Sequence, residues 1–400
     1  MTENPPLRLF FSAGEASGDH YAAEIFQRIR ARHPQVQAQG LGGSQSRAAG
    51  IETVVDLATV SVMGLVEVLR HYGRLKRAMN DLLAAMTENP PDLLIAIDFQ
   101  EFNQRLAKAS RARGIRVLFF VAPQVWAWRP KRAARFSAVA DHLAVLFDFE
   151  VPLFARHGLP TTHTGHPLLD LIPPETRKYP SPQSSALQAQ ARARLKRPTT
   201  GCVIGLLPGS RRSEIDRLLP ILLATAERLL IDYPDWQFIL PIAPSLDPSC
   251  VARIHAQREA SSPALQAALF ITEGQARLAM TAADVLLIAS GTATLEAALI
   301  GTPMVIVYRT HPITFWLAKH LVRIAQIGLP NIVLGRAAVP EFLQQDANPE
   351  QLAQALHHLA SPSAEYSRQQ AALAEIPAHL GQPGGLERLA ELALKLAQAQ

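Results

Sequence analysis

Asp92-Leu-Leu-Ile-Ala-Ile-Asp98 runs into a helical stretch across Phe102–Arg113 and then into Arg116-Val-Leu-Phe-Phe-Val121. Short apolar runs without polar alternation, joined through a helix, are the pattern of strands buried on both faces of a parallel sheet. The alternation continues on either side of this unit. Leu7–Ser12 reads as a strand and His20–Arg32 as a helix before it, and Lys131–Ala140 as a helix and His142–Phe147 as a strand after it. Strand and helix in repeated succession predict an α/β doubly wound domain.

Residues 171–200 interrupt the pattern with five prolines, Pro173, Pro174, Pro180, Pro182 and Pro198, the composition of a linker or surface excursion. The alternation then restarts. Cys202–Leu207, Trp236–Pro241, Val285–Ala289 and Met304–Tyr308 read as strands, with helices over Glu214–Asp232 and Thr294–Ile300. From Asn348 the chain reads as helical, with Asn348 as N-cap and Pro349 at the first helical position. The expected organisation is an N-terminal Rossmann-like domain over 1–170, a Pro-rich linker over 171–200, a second Rossmann-like domain over 201–345 and C-terminal helices over 346–400.

Four hundred residues, 48 % of them hydrophobic and 18 % charged, suffice for two cores and exclude a disordered chain. Two cysteines, Cys202 and Cys250, exclude a disulfide scaffold and fit a reducing compartment. No run approaches the roughly 18 apolar residues of a membrane span, and the start lacks the basic region of a signal peptide, so a cytoplasmic protein is expected. The net charge of +5 is uneven. Residues 1–200 carry 25 Lys and Arg against 17 Asp and Glu, and residues 201–400 carry 14 against 17. Nine basic residues and no acidic one lie between Gln104 and Ala140. Such a run is a solvated helix face or a field for an anionic ligand or lipid headgroups. With 6 % aromatics and no recognised motif, nucleic acid is not expected as a partner. Trp126 and Trp128 beside Arg129, Lys131, Arg132 and Arg135 are a core anchor or a lipid-interface element. Val62–Leu69, followed by Arg70, Arg74, Lys76 and Arg77, is a second apolar-then-basic stretch.

Ligands of open parallel sheets bind at the carboxyl ends of the strands. After the first strand comes Ser12-Ala-Gly-Glu-Ala-Ser-Gly-Asp19, whose glycines allow tight turns and whose Ser17 or Asp19 is placed to cap the next helix. It is not the dinucleotide fingerprint. Asp98 ends another strand, as a general base facing the crevice or as a turn residue, with Glu101 and Asn103 close by. In the second half, Pro208-Gly-Ser-Arg-Arg-Ser-Glu-Ile215 and Ser290-Gly-Thr-Ala-Thr-Leu-Glu296 each follow a strand and open a helix. Free N–H groups, hydroxyls and a helix dipole there suit phosphate oxygens, and Arg211 adds a fixed cation. Glu296 is placed to accept from two ribose hydroxyls. No H-E-x-x-H, C-x-x-C, P-loop or Asp-x-Asp pattern is present, so neither a metal nor a cofactor is expected.

Gly14-Glu-Ala-Ser-Gly-Asp19, Ser61-Val-Met-Gly-Leu-Val-Glu-Val68, Pro123-Gln-Val-Trp-Ala-Trp-Arg129, Gly165-His-Pro167, Leu207-Pro-Gly-Ser-Arg211, Ser290-Gly-Thr-Ala-Thr-Leu-Glu296 and Leu329-Pro-Asn331, in this order, resemble the lipid-A-disaccharide synthase family. The resemblance spans about residues 8–345. It implies a GT-B glycosyltransferase with an interdomain cleft, acceptor on the N-terminal domain, UDP on the C-terminal one, and final helices returning to the N-terminal domain. The implied reaction joins UDP-2,3-diacylglucosamine to 2,3-diacylglucosamine 1-phosphate with inversion, giving a β(1→6) disaccharide 1-phosphate and UDP in lipid A biosynthesis. Matched residue by residue, Asp98 stands as the family's essential aspartate and Arg211 as the arginine that stabilises departing UDP. Gly209, Ser210, Ser290, Gly291, Thr292, Thr294, Glu296 and Asn331 match the nucleotide loops, and Glu15, Ser17 and Asn103 are assigned to the acceptor. The implied partners are the two acylated sugars and the anionic surface of the inner membrane, and a homodimer is left open. After Asp98 the family usually reads Ala-Pro-Asp-Phe-Asn, whereas this chain has Phe99-Gln-Glu-Phe-Asn103. Two other readings compete. One is another UDP-sugar enzyme of the same fold, a transferase to a different lipid or a 2-epimerase; the other is a two-domain binding protein without catalysis.

Overall fold

Strands that carry aliphatic or aromatic side chains on both faces need cover on both faces, and the chain supplies it twice. The computed structural model describes residues 6–60, 65–123, 132–178, 183–310, 326–360 and 363–399. They form two units, Met1–Asp170 with Leu380–Gln400, and Leu171–His379. In the first unit β1 (Arg8–Ala13), β2 (Gln37–Gly42), β3 (Glu52–Asp56), β4 (Leu93–Ile97), β5 (Arg116–Phe120), β6 (His142–Val145) and β7 (Thr161–His163) form one sheet of order β3-β2-β1-β4-β5-β6-β7. Every neighbouring pair is parallel, with Ser12 opposite Ala96 and Ile97 opposite Phe120. In the second unit β8 (Val203–Leu207), β9 (Gln237–Ile242), β10 (Leu269–Glu273), β11 (Val285–Ala289), β12 (Met304–Tyr308) and β13 (Glu341–Leu343) repeat the order as β10-β9-β8-β11-β12-β13, again all parallel. Both units are therefore Rossmann-like sheets. Each has a topological switch point beside its first strand, between β1 and β4 and between β8 and β11.

One core of the first unit gathers Phe10, Leu94 and Phe119 of the sheet with Leu82, Met86, Leu106 and Phe136 of the covering helices. The opposite face is covered by helices Ala16–Arg32 and Gly385–Gln398. The core of the second unit packs Ile204, Phe238, Leu287 and Val305 against Leu218, Leu222 and Leu229 of the Arg212–Asp232 helix. Each fully buried side chain of this size contributes roughly 1.5–3 kcal/mol by leaving water.

Two expected boundaries differ from the structure. The Pro-rich segment is a docked part of the second unit. Buried Arg192 on helix Ser184–Arg194 binds Asp284, and Lys178 donates to the Ala283 carbonyl at 2.6 Å, both just before β11. Of the C-terminal helices only Gly385–Gln398 belongs to the first unit, whereas Pro349–Ala360 and Ala364–His379 belong to the second. There Leu352 and Leu356 complete the core, and Gln369 pairs with both backbone groups of Met304 at the start of β12. Asn348 does cap its helix, accepting from Gln351 N–H at 3.1 Å. The Gly165-His-Pro167 motif anchors the returning chain: His166 N–H donates to the Leu380 carbonyl, and Asp170 receives the N–H groups of Gly384 and Leu386. Burial pushes the His166 imidazole down from 6.5 to about 3.

Candidate active site

Apart from Asn331, on helix Leu329–Leu334, the candidate side chains stand in four segments, each the loop and first helical turns after a strand flanking a switch point. After β1 the backbone turns at Gly14, where an added Cβ would lie 2.1 Å from the Phe99 ring. Glu15 follows as the half-buried N-cap of Ala16–Arg32, accepting from Asp19 N–H through its carbonyl at 2.9 Å, and Ser17 is exposed in the first turn. The helix thus begins four residues earlier than the expected His20. Asp19 does not cap it. Its buried carboxylate accepts from Gly43, Gln45 and Ser46 N–H at 2.6, 3.1 and 3.1 Å and so caps the neighbouring helix Ser44–Ala49.

After β4, Asp98 and Phe99 have φ of 47° and 49°, and Val121 after β5 has φ of 71°. Such residues in the left-handed region cost on the order of 1–3 kcal/mol each and persist where surrounding bonds over-determine them. Those bonds are present. Asp98 N–H donates to Phe120 O at 2.9 Å, and Asn103 N–H to Phe99 O at 3.0 Å. The Asn103 amide donates to the carbonyls of Asp98, Ser12 and Ile97 at 2.8, 3.1 and 3.2 Å, while its oxygen accepts from Ser12 Oγ at 2.6 Å. Asn103 is therefore a buried bracket between β1 and β4, and its polar atoms are engaged with the fold. Glu101 is exposed in the first turn of helix Gln100–Arg111.

In the second unit Gly209 has φ of 114°, and a Cβ there would meet the Glu214 carboxylate at 2.2 Å. Arg211 is the exposed N-cap of Arg212–Asp232. Glu214 folds back onto the loop and accepts from the N–H groups of Ser210 and Arg211 at 3.0 and 3.3 Å. It occupies donors on which the sequence placed phosphate oxygens. After β11, Ser290 Oγ donates to Ile327 O at 3.0 Å, and Gly291 caps Thr292–Ile300. Thr292 is exposed, whereas Thr294 is buried and returns its hydroxyl to Gly291 O at 2.7 Å. Since Ile288 pairs with Leu207, these two loops leave adjacent strands side by side.

Glu296 is held by Arg277, Nε to Oε2 at 3.1 Å and Nη2 to Oε1 at 3.4 Å, which orients the carboxylate assigned to ribose. Asn331 is fully buried. It accepts from Ala338 and Val339 N–H at 2.8 Å each and donates to Glu341 at 2.7 Å, closing the chain around β13. A cleft of about 900 Å³ borders Asn331 and Glu341 but is lined by none of residues 208–214 or 290–296. Glu214 and Arg277 were not singled out by sequence reasoning. A Glu three residues after an N-cap was the available signal for the first; Arg277 and Glu296 are 19 residues apart and had none. Trp126, Trp128, Arg129 and Lys131, and Ser61–Gly64, lie outside the described residues. No group of three or more His, Cys, Asp or Glu suited to a metal ion occurs among the described residues.

The fold is that of nucleotide-sugar enzymes of the GT-B class. UDP-GlcNAc 2-epimerase from Neisseria meningitidis bound to UDP-GlcNAc superposes with a TM-score of 0.63 at 15 % identity, covering 97 % of this chain and 99 % of that one. A glycosyltransferase from Rickettsia africae gives 0.55 at 10 % identity over 99 % and 100 %. The sequence model described as lipid-A-disaccharide synthetase matches residues 9–388. The lipid-A-disaccharide synthase of Geobacter sulfurreducens is 40 % identical over 403 residues, covering 100 % of both chains. The chain belongs to the lipid-A-disaccharide synthase family, and it is a glycosyltransferase of lipid A biosynthesis.

Proposed function

We propose that the protein joins UDP-2,3-diacylglucosamine to 2,3-diacylglucosamine 1-phosphate, releasing UDP and forming the β(1→6) disaccharide 1-phosphate with inversion. The observation that carries this reading is the opposite chemistry of two equivalent places. The first switch point carries the half-buried Asp98 carboxylate, and the second carries two helix N-termini with the exposed Thr292 and with Arg211, whose guanidinium lies 3.6 Å from the Glu214 carboxylate. In the proposed step Asp98 accepts the proton of the acceptor 6-hydroxyl as its oxygen bonds to C1 of the donor. The C1–O bond to UDP breaks, and its electron pair stays on the β-phosphate oxygen. Arg211 and the loops after β8 and β11 meet that charge, with Glu214 giving up the Ser210 and Arg211 N–H groups. Asn103 positions Asp98, and Glu15 and Ser17 face the acceptor side of the same switch point.

Both substrates are acylated, which accounts for basic exposed positions such as Arg105 and Lys108 on helix Gln100–Arg111 and Arg135 on Arg132–Phe136. These would bear on anionic headgroups at the inner membrane. No helix among the described residues is long and apolar enough to cross a membrane. The likeness to a 2-epimerase supports one competing reading, in which the donor is processed alone. UDP release with donor alone and with acceptor added separates them. Release that requires both sugars is expected, and release without acceptor overturns the transferase.

A further inference from the structure

The left-handed turn at Asp98 is bridged to the end of β5 by one side chain that the proposed chemistry has not used. Gln100 opens the helix Gln100–Arg111, and its Nε2 donates to the Val121 carbonyl at 2.9 Å and to Asp98 Oδ1 at 3.3 Å. Its Oε1 is buried without a hydrogen-bond partner. A primary amide has two N–H groups on one nitrogen, so a single planar group can reach both oxygens. The stronger contact holds the amide to a residue that is itself left-handed, Val121, whose N–H is fixed on Ala144 O at 3.1 Å. The other contact then falls on the carboxylate. The flanking residue supports the same geometry: the Phe99 ring fills the space over Gly14 and lies 5.1 Å from the Phe102 ring.

We propose that Gln100 is a positioning residue for Asp98: anchored on the Val121 carbonyl, it fixes the carboxylate's orientation and favours its ionised form. The inference rests on Asp98 as the base. A hydrogen bond donated to a carboxylate stabilises the charged state, so its loss makes the group easier to protonate. A residue that only staples the turn would change stability and leave the titration where it was.

The test compares Gln100→Met, which keeps the length and removes the donor, with Gln100→Glu, which keeps the shape and places a second carboxylate beside Asp98. The full-length proteins are assayed for kcat and KM with both sugars between about pH 5 and 9, with thermal melting recorded alongside. For Gln100→Met the acid limb of kcat/KM is expected about half to one unit higher, with kcat roughly 3- to 10-fold lower near neutrality and KM within about twofold. For Gln100→Glu the limb moves further, and activity recovers as pH rises. If both variants keep the wild-type limb and kcat while melting earlier, Gln100 is a structural staple and the proposal falls. Should Gln100→Met fail to fold, the isosteric Gln100→Glu decides alone. Failure of the underlying reading is distinct: Asp98→Asn would then retain both turnover and the acid limb.

Discussion

The two switch points occupy equivalent places in two sheets of the same strand order, yet they are built from opposite materials. At the first, the backbone is forced: Asp98, Phe99 and Val121 are left-handed, and the buried amide of Asn103 ties β1 to β4. At the second, glycines take the turns, and the loops after β8 and β11 open helices, the first with its Ser210 and Arg211 N–H groups held by Glu214, beside the exposed Thr292 and Arg211. On the proposed reading, one fold serves two tasks. A carboxylate that must be aimed needs a rigid, over-determined turn, whereas an anion is held well by helix N-termini that the sheet supplies without strain.

Substitution at the two places should divide the kinetics. Asp98→Asn is expected to lower kcat by roughly 10²–10⁴-fold with UDP affinity retained. Arg211→Ala is expected to lower kcat by about 10²–10³-fold and to weaken UDP binding as well. Turnover assays paired with UDP calorimetry check both, and equal loss of UDP affinity in the two variants would erase the contrast.

Acid and alkali should act on the units differently. The buried His166 of the first unit stays neutral down to about 3, whereas the unfolded chain takes up its proton near 6.5. Stability is therefore lost as pH falls through this window, on the order of a few kcal/mol. Lys178 of the second unit is pushed by burial from 10.5 down to about 8, so between these values the unfolded chain holds more protons and stability rises with pH. Hydrogen exchange resolved by residue at pH 5, 7 and 9 reads each unit separately, and His166→Phe should flatten only the acid response of the first.

Glycine substitutions give a smaller separation. Gly14→Ala drives a Cβ into Phe99, and Gly209→Ala strains φ of 114° against Glu214. Each should cost about 1–3 kcal/mol, the first at the expense of kcat and the second of UDP affinity. The smallest effect is expected at Glu214→Gln, which removes the charge now occupying the Ser210 and Arg211 N–H groups. UDP should bind a few-fold tighter while stability falls by about 0.5–1 kcal/mol. Unchanged affinity in calorimetry would mean that Glu214 does not compete with phosphate.

Central strands were legible because burial on both faces leaves an unbroken apolar run: Val285–Ala289 and Met304–Tyr308 are observed with the bounds read from sequence. Edge and glycine-rich strands were not. Thr161–His163 and Glu341–Leu343 are three residues long, the first polar throughout and the second opening on a Glu, and Gln37–Gly42 carries no aliphatic run, so no period marks them. The strand-ending loops were legible for the same reason as the strands, since glycine and hydroxyl residues between an apolar run and a helix have few other uses.

By itself, then, the sequence determined the two parallel sheets, the four loops and the family, because periodicity, turn chemistry and motif order are local along the chain. Only the tertiary structure decided what the individual polar residues do. Asp19 caps a helix 24 residues away, Asn103 binds Ser12 across 91 residues, and Arg192 and Lys178 fasten the Pro-rich segment to the second sheet. A polar side chain takes the partners that burial brings to it, and those partners come from distant parts of the chain.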